Sequence, residues 1–107
     1  MSESKEQSRA QQLMGDFAPK LAELTDDVLY GDVWARAELS PRDRSLVTVA
    51  ALVANGNTEQ LRSHLNLARA NGISERELAE VMTHLAFYTG WPRAISAILV
   101  AKDAFSE

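Results

Sequence analysis

His64 is one of two histidines in the chain, and its neighbours at helical spacing are polar. Residues three and four apart share a helix face, so Asn57 and Gln60 lie on the same side as His64. Glu59 stands in the first turn of the same predicted helix, where the helix dipole also favours an ordinary carboxylate. An imidazole changes charge near neutral pH, so His64 is a candidate acid or base, although a lone helical histidine is also commonly a structural hydrogen bonder.

His84 is the second titratable centre and lies on a later predicted helix. Glu77, Glu80, His84 and Tyr88 share one face of that helix. Glu80 precedes His84 by one turn, where its carboxylate can hold the imidazole in one tautomer. The face therefore predicts either a second acid or base or an ordinary solvated surface.

Arginines cluster before a buried apolar stretch, with Arg36, Arg42 and Arg44 beside Trp34. The forked guanidinium group suits carboxylate binding, so this cluster could receive a small acidic molecule. The alternative is that these arginines form solvated ion pairs with neighbouring aspartates.

These side chains must be positioned by helices, since no segment reads as a strand. Helical periodicity predicts a continuous helix over 13–31, a buried helix opened by Ser40 and Pro41, and a helix capped by Thr58. A capping box at 74–77 opens the next helix, and Pro92 begins the last. The sequence predicts an all-α bundle of five to six helices. Residues 1–12 form a polar tail or frayed helix, and 13–107 form a single domain.

Composition excludes several classes of function. The net charge of −4 and the lack of a basic run argue against a nucleic-acid partner, and no apolar run approaches the length of a membrane span. The chain contains no cysteine, which rules out thiol and disulfide chemistry and agrees with a cytoplasmic location. Two histidines without a metal-binding motif give no support for a metal site.

Three blocks, at 33–56, 58–81 and 84–105, resemble the carboxymuconolactone decarboxylase family, whose wider group includes the alkylhydroperoxidase D proteins. They carry the elements WAR, RxRSL, HxxxARxNG and YxGxP in that order. The resemblance implies an alkylhydroperoxidase D-like helical fold that assembles into trimers or hexamers, with sites near subunit interfaces. In thiol-using relatives, cysteines occupy the positions of Asn57 and Gln60 here, so peroxide reduction does not carry over.

The resemblance also implies a cofactor-independent lyase that acts on a small acidic lactone, such as γ-carboxymuconolactone, or on a related carboxylate of aromatic-compound degradation. Loss of carbon dioxide leaves an electron pair that spreads onto a carbonyl oxygen, and a proton must then reach carbon. His64, at the family's histidine position, is expected to act as acid or base, with Glu59 and His84 as further catalytic candidates. The expected substrate-binding side chains are Arg42, Arg44, Asn57, Gln60, Tyr88 and Trp91.

Two departures from the family pattern leave the substrate open, and the residues Asn57, Gln60 and Asn66 favour a second hypothesis. Asn66 stands where an arginine is common in the decarboxylases, and the bulky Trp91 lies within the YxGxP element. Losing a cation would weaken recognition of a polycarboxylate. The alternative is a helical oligomer or ligand-binding module that retains the scaffold without the chemistry.

Overall fold

The computed structural model describes residues 7–106. The chain divides into two compact units, Met1–Glu38 and Leu39–Glu107, which are called the amino-terminal unit and the carboxy-terminal unit below. The prediction of one domain over 13–107 stays a prediction.

The amino-terminal unit contains two short helices where the periodicity predicted one long helix. Helix α1 spans Arg9–Met14 and α2 spans Pro19–Leu24, followed by a π-helical turn, Thr25–Tyr30, and a 3-10 turn, Val33–Ala35. The prediction of a continuous helix from residue 13 was wrong because Pro19 has no amide hydrogen and forces the preceding Ala18 out of the helical region, to φ −131° and ψ 67°.

Helix α1 begins within residues 1–12, for which the sequence left a polar tail or a frayed helix open. Ser8 is its N-cap, with a side-chain oxygen that accepts a hydrogen bond from the Gln11 amide at 3.0 Å. Ser8 also donates to Asp26 at 2.7 Å, which ties α1 to the π-helical turn. The sequence reading placed no start signal there. The rest of the predicted tail, residues 1–6, lies outside the described residues.

The carboxy-terminal unit contains four longer helices: α3, Pro41–Asn55; α4, Thr58–Ala70; α5, Glu75–Thr89; and α6, Trp91–Phe105. Ser40 caps α3 as predicted, and Gly56 ends it in the left-handed conformation at φ 72°. The capping box that opens α5 is confirmed in both of its hydrogen bonds.

Two predicted helix starts were wrong by one residue. Thr58 is the first residue of α4 rather than its cap, because Asn57 occupies the cap position and makes no side-chain capping bond. Helix α6 begins at Trp91, one residue before Pro92. Pro92 still lies in the first turn, where its missing amide hydrogen breaks no hydrogen bond of the helix.

The core of the carboxy-terminal unit lies where α4 and α5 meet α3 and α6. It is aliphatic, and its largest fully buried side chains are Val49, Val53, Leu61, Leu65, Ile73, Leu78 and Met82. Burying each such side chain contributes about 1.5 to 3 kcal/mol relative to exposure. This packing fixes which faces of α3 and α5 are left open to solvent.

Among the described residues, Ser45 is the one polar residue that is buried. Its hydroxyl oxygen accepts a hydrogen bond from Asn71 Nδ2 at 2.9 Å, and the same amide lies 3.4 Å from the Pro41 carbonyl oxygen. A buried hydroxyl is costly unless it is hydrogen bonded. Asn71 therefore satisfies Ser45 and ties the start of α3 to the end of α4.

All regular secondary structure in residues 7–106 is helical, and six α-helices are present. The predicted all-α class and helix number are confirmed. Within the same residues, no helix combines the length and apolar character needed to cross a membrane.

Candidate active site

A cleft with a volume of about 480 Å³ lies between α3 and α5 in the carboxy-terminal unit. That volume falls within the range of small-molecule sites. Its walls are mostly aliphatic, and four charged or titratable side chains stand among them. The lining residues are Arg42, Leu46, Ala50, Ile73, Glu77, Glu80, Val81, His84 and Leu85.

Helix geometry explains why these residues meet. Arg42, Leu46 and Ala50 recur every four residues and form one stripe of α3. The α5 residues also recur at three and four, so their stripe runs from Glu77 to Leu85. Contact between α3 and α5 sets the two stripes opposite each other. We call this site the α3/α5 cleft.

Arg42 is the cation of the α3/α5 cleft. Its Nη2 donates to Glu77 Oε2 at 2.5 Å, and its Nη1 lies 3.9 Å from Asp43 Oδ1. Glu77 is held from the other side as well, since its Oε1 accepts from the Ser74 amide at 2.9 Å. The pKa of Glu77 is lowered, chiefly because its carboxylate accepts the backbone hydrogen bond from Ser74. The charge and the hydrogen bond of Arg42 lower it further.

His84 lies on the same cleft with its side chain exposed. Its ring packs against that of Tyr88, with centroids 5.0 Å apart and planes tilted by 35°. Glu80 lines the cleft one turn before His84. The α3/α5 cleft thus presents an imidazole, a carboxylate and a guanidinium group to one apolar space.

The start of α4 presents a second, smaller and more polar cavity of about 230 Å³. It is lined by Gly56, Asn57, Thr58, Glu59 and Gln60. The structure therefore places Asn57, Glu59 and Gln60 around one cavity. His64 is half-buried, with its Nδ1 shielded from solvent, and it is not among the residues that line either this cavity or the α3/α5 cleft.

The remaining predicted binding residues lie elsewhere in the unit. Arg44 is half-buried and its Nε donates to the Leu39 carbonyl oxygen at 3.2 Å. Trp91 packs edge to face on Phe87, with centroids 5.1 Å apart, and lines an apolar pocket between α5 and α6. Within one chain, the predicted site residues thus lie in several places and not in a single pocket.

Sequence reasoning did not anticipate that Glu77 pairs with Arg42, or that aliphatic side chains wall the cleft. The available signal was the matching spacing of Arg42, Leu46 and Ala50 on α3 and of Glu77, Val81 and Leu85 on α5. Among the described residues, no group of three or more histidine, aspartate or glutamate side chains is placed to hold a metal ion.

The carboxymuconolactone decarboxylase family matches the chain over residues 19–103. The chain therefore belongs to this family, as its sequence elements indicated, and its all-α fold agrees with the assignment.

Among curated relatives, the chain is 33% identical over 100 residues to the 4-carboxymuconolactone decarboxylase of Acinetobacter baylyi, covering 94% of this chain and 75% of that protein. It is 32% identical over 85 residues to the nitrosuccinic acid decarboxylase of Metarhizium robertsii, covering 79% of this chain and 59% of that protein. An uncharacterized 15.0 kDa protein of Paracoccus denitrificans is 28% identical over 83 residues, covering 76% of this chain and 62% of that protein. The two relatives that are named for an activity support decarboxylation as the chemistry of this family.

Proposed function

We propose that this protein is a carboxy-lyase that removes carbon dioxide from a small acidic lactone or a related carboxylic acid. The observation that carries the proposal is the α3/α5 cleft, where Arg42 and His84 face one apolar space of about 480 Å³. A guanidinium group can anchor a carboxylate, and an imidazole can deliver a proton. The relatives named as decarboxylases support the same chemistry.

The reaction divides into two steps. The bond between the carboxylate carbon and the substrate breaks, carbon dioxide leaves, and the electron pair moves onto a conjugated lactone carbonyl or an adjacent nitro group. The resulting enolate or nitronate then takes a proton at carbon. In our proposal, protonated His84 supplies that proton and recovers one from solvent, while Glu80 orients the ring.

Arg42 would hold a carboxylate that stays on the substrate. Nitrosuccinic acid has a succinic skeleton with two carboxyl groups, so one remains when the other leaves. An arginine on the retained group would orient the scissile bond without stabilising the carboxylate that must depart. The apolar walls of the cleft would favour loss of the charged carboxylate as neutral carbon dioxide.

Release of carbon dioxide from 4-carboxymuconolactone and from nitrosuccinic acid tests the proposal. Purified protein should turn over at least one of them, and Arg42→Gln should weaken turnover more than Arg44→Gln. No release from either acid, with folded protein confirmed by circular dichroism, would contradict the decarboxylase assignment.

His64 remains the alternative proton donor, because it occupies the family's histidine position. Geometry within one chain favours His84, which lines the cleft with Arg42. The two assignments differ in which single histidine substitution abolishes turnover. A greater loss from His64→Gln than from His84→Gln would move the catalytic centre to α4.

A second candidate function is a ligand-binding module without catalysis. The observation that favours it is the contact between Arg42 and Glu77, which already gives the anchor an internal carboxylate partner. Such a module should gain thermal stability with acidic metabolites, by RT ln(1 + [L]/Kd), while releasing no carbon dioxide. Turnover of any acid would decide against it.

We also propose that the chain self-associates, into trimers or hexamers. Helix α6 exposes Trp91, Ile95 and Leu99 one turn apart, and Phe87 and Tyr88 lie exposed at the end of α5. Apolar patches of this kind mark interfaces. Light scattering on the purified protein should give a mass three or six times that of the chain, and Ile95→Glu should lower it.

A further inference from the structure

The carboxylate anchor of the α3/α5 cleft already holds a carboxylate that belongs to the protein. Arg42 Nη2 contacts Glu77 Oε2 at 2.5 Å, and both side chains line the cleft. We propose that Glu77 is a built-in competitor for Arg42, which sets the affinity of the cleft for acidic ligands and discriminates against weakly binding ones. The inference rests on the proposed function, since it takes Arg42 as the anchor.

Glu77 is held in this position by the local fold and not by Arg42 alone. Its Oε1 accepts from the Ser74 amide at 2.9 Å, while the Ser74 hydroxyl oxygen accepts from the Glu77 amide at 3.0 Å. This capping box leaves Oε2 as the oxygen that faces Arg42. The local fold therefore holds the competing carboxylate beside Arg42.

The geometry sets an acidic ligand and Glu77 in competition for Arg42. A carboxylate bound by both arms of the guanidinium fork needs two adjacent donors, and Nη2 is one of the two terminal nitrogens. Glu77 occupies Nη2, and Asp43 lies 3.9 Å from Nη1. A ligand that binds Arg42 through both terminal nitrogens shares Nη2 with Glu77 and therefore competes with it for the guanidinium charge. A ligand that makes a single bond gains less from Arg42 and is more strongly disfavoured by this competition.

The other charges of the cleft also oppose the binding of an acidic ligand. One arginine faces two glutamates, Glu77 and Glu80, so an anion meets repulsion as well as its anchor. The side chains of Arg42 and Glu77 are 41% and 49% exposed, respectively, so water and salt partly screen the attraction between them. The competition is consequently modest, and a ligand can reverse it.

Glu77→Gln removes the competing charge while keeping the fold. Glutamine at this position still accepts the hydrogen bond from Ser74, as capping boxes allow. The matched control is Glu75→Gln, in the same first turn of α5. Glu75 pairs with Arg69 at 2.9 Å and is 50% exposed, but it does not line the cleft. The two variants therefore change the net charge equally.

The test measures the Kd of succinate, an unreactive dicarboxylate, by titration calorimetry at pH 7 and low salt. Wild type, Glu77→Gln, Glu75→Gln, Arg42→Gln and the Arg42→Gln/Glu77→Gln double variant are compared. We expect Glu77→Gln to lower the Kd of succinate by about two- to fivefold, which corresponds to the free energy of a surface ion pair. Glu75→Gln should change this Kd little. In the double variant most of the gain should vanish, because the competition requires Arg42, and any gain that remains measures direct repulsion of the ligand by Glu77.

Several results would overturn the inference. Unchanged or weaker succinate binding by Glu77→Gln would mean that Glu77 positions Arg42 rather than competes for it. Absence of binding by both wild type and Glu77→Gln would mean that Arg42 does not anchor a carboxylate, which leaves nothing for Glu77 to compete with. An equal gain in the double variant would reduce Glu77 to a general charge effect. Because succinate loses no carbon dioxide, this outcome is independent of turnover. An inactive protein can still show the competition, and an active one can lack it.

Discussion

The α3/α5 cleft and the cavity at the start of α4 both contain predicted site residues, but they are built differently. The cleft combines two helices, aliphatic walls and charges of both signs. The cavity at the start of α4 comes from one turn and its flanking loop, is about half as large, and has little apolar lining. Only the cleft can remove an acidic ligand from water while holding its carboxylate. We therefore place the candidate site at the α3/α5 cleft.

The comparison shows what spacing along one helix can and cannot indicate. Asn57 and Gln60 share a cavity because they lie within one turn at the start of α4, where Asn57 is the cap residue. Arg42 and His84 share a cleft because the core turns particular faces of α3 and α5 toward each other. A face of one helix can be read locally, but the face that opposes it depends on packing throughout the unit.

The largest expected effect of a substitution within this comparison is that of His84→Gln. Removing a general acid typically lowers the rate by about 10² to 10⁴-fold, so kcat for carbon dioxide release should fall within that range. His84 is exposed, so the substitution should leave the melting temperature nearly unchanged. A kcat within twofold of wild type would exclude His84 as the proton donor.

Arg42→Gln is expected to have the next largest effect. A hydrogen bond to a charged group contributes about 1.5 to 3 kcal/mol, so succinate affinity should fall by about tenfold or more. Arg44→Gln is the matched control on the same helix, because Arg44 does not line the cleft and bonds the Leu39 carbonyl oxygen instead. Equal losses from both variants would show that general positive charge, and not the cleft, attracts the ligand.

The pH dependence of the free energy of unfolding should show whether the ionised Glu77 carboxylate stabilises the folded state. Its folded-state pKa lies below its usual value of 4.5, so it stabilises the fold fully above that value. The contribution is lost as the pH falls through the lowered pKa. Urea unfolding from pH 7 to pH 3 should therefore show wild type losing its advantage over Glu77→Gln at acidic pH. A difference independent of pH would mean that the carboxylate charge of Glu77 does not stabilise the fold.

The smallest effects are expected at the start of α4. Asn57→Ala and Gln60→Ala remove exposed side chains that line the smaller cavity. Surface substitutions of this kind usually change free energies by less than about 0.5 kcal/mol, so succinate Kd should stay within about twofold. A tenfold loss in either variant would move the binding site from the cleft to α4.

Sequence alone predicted the helices of the carboxy-terminal unit well because their ends carry strong local signals. Ser40 with Pro41, Gly56 and the capping box of Ser74 and Glu77 each act within one turn. The amino-terminal unit was predicted less well, since periodicity runs through the break that Pro19 makes. Ser8 was missed because the first apolar stripe begins several residues after it.

The candidate site was predictable only in part. Arg42 and His84 were named from the chemistry of their side chains, but nothing local indicated that they face one space. Glu77 was placed on the face of His84, yet its contact with Arg42 spans 35 residues and depends on the packing of α3 against α5. The placement of His64 away from the cleft likewise follows from the packing of α4, which spacing does not reveal.

The most direct test of the account follows both imidazoles in one sample. The chain has two histidines, so their ring signals can be assigned with His64→Gln and followed by NMR while wild-type protein is titrated with succinate. The account predicts that the His84 signals shift with a saturable dependence on succinate, and that the His64 signals stay in place. Shifts of His64 with an unperturbed His84 would contradict it and locate the acidic ligand at α4.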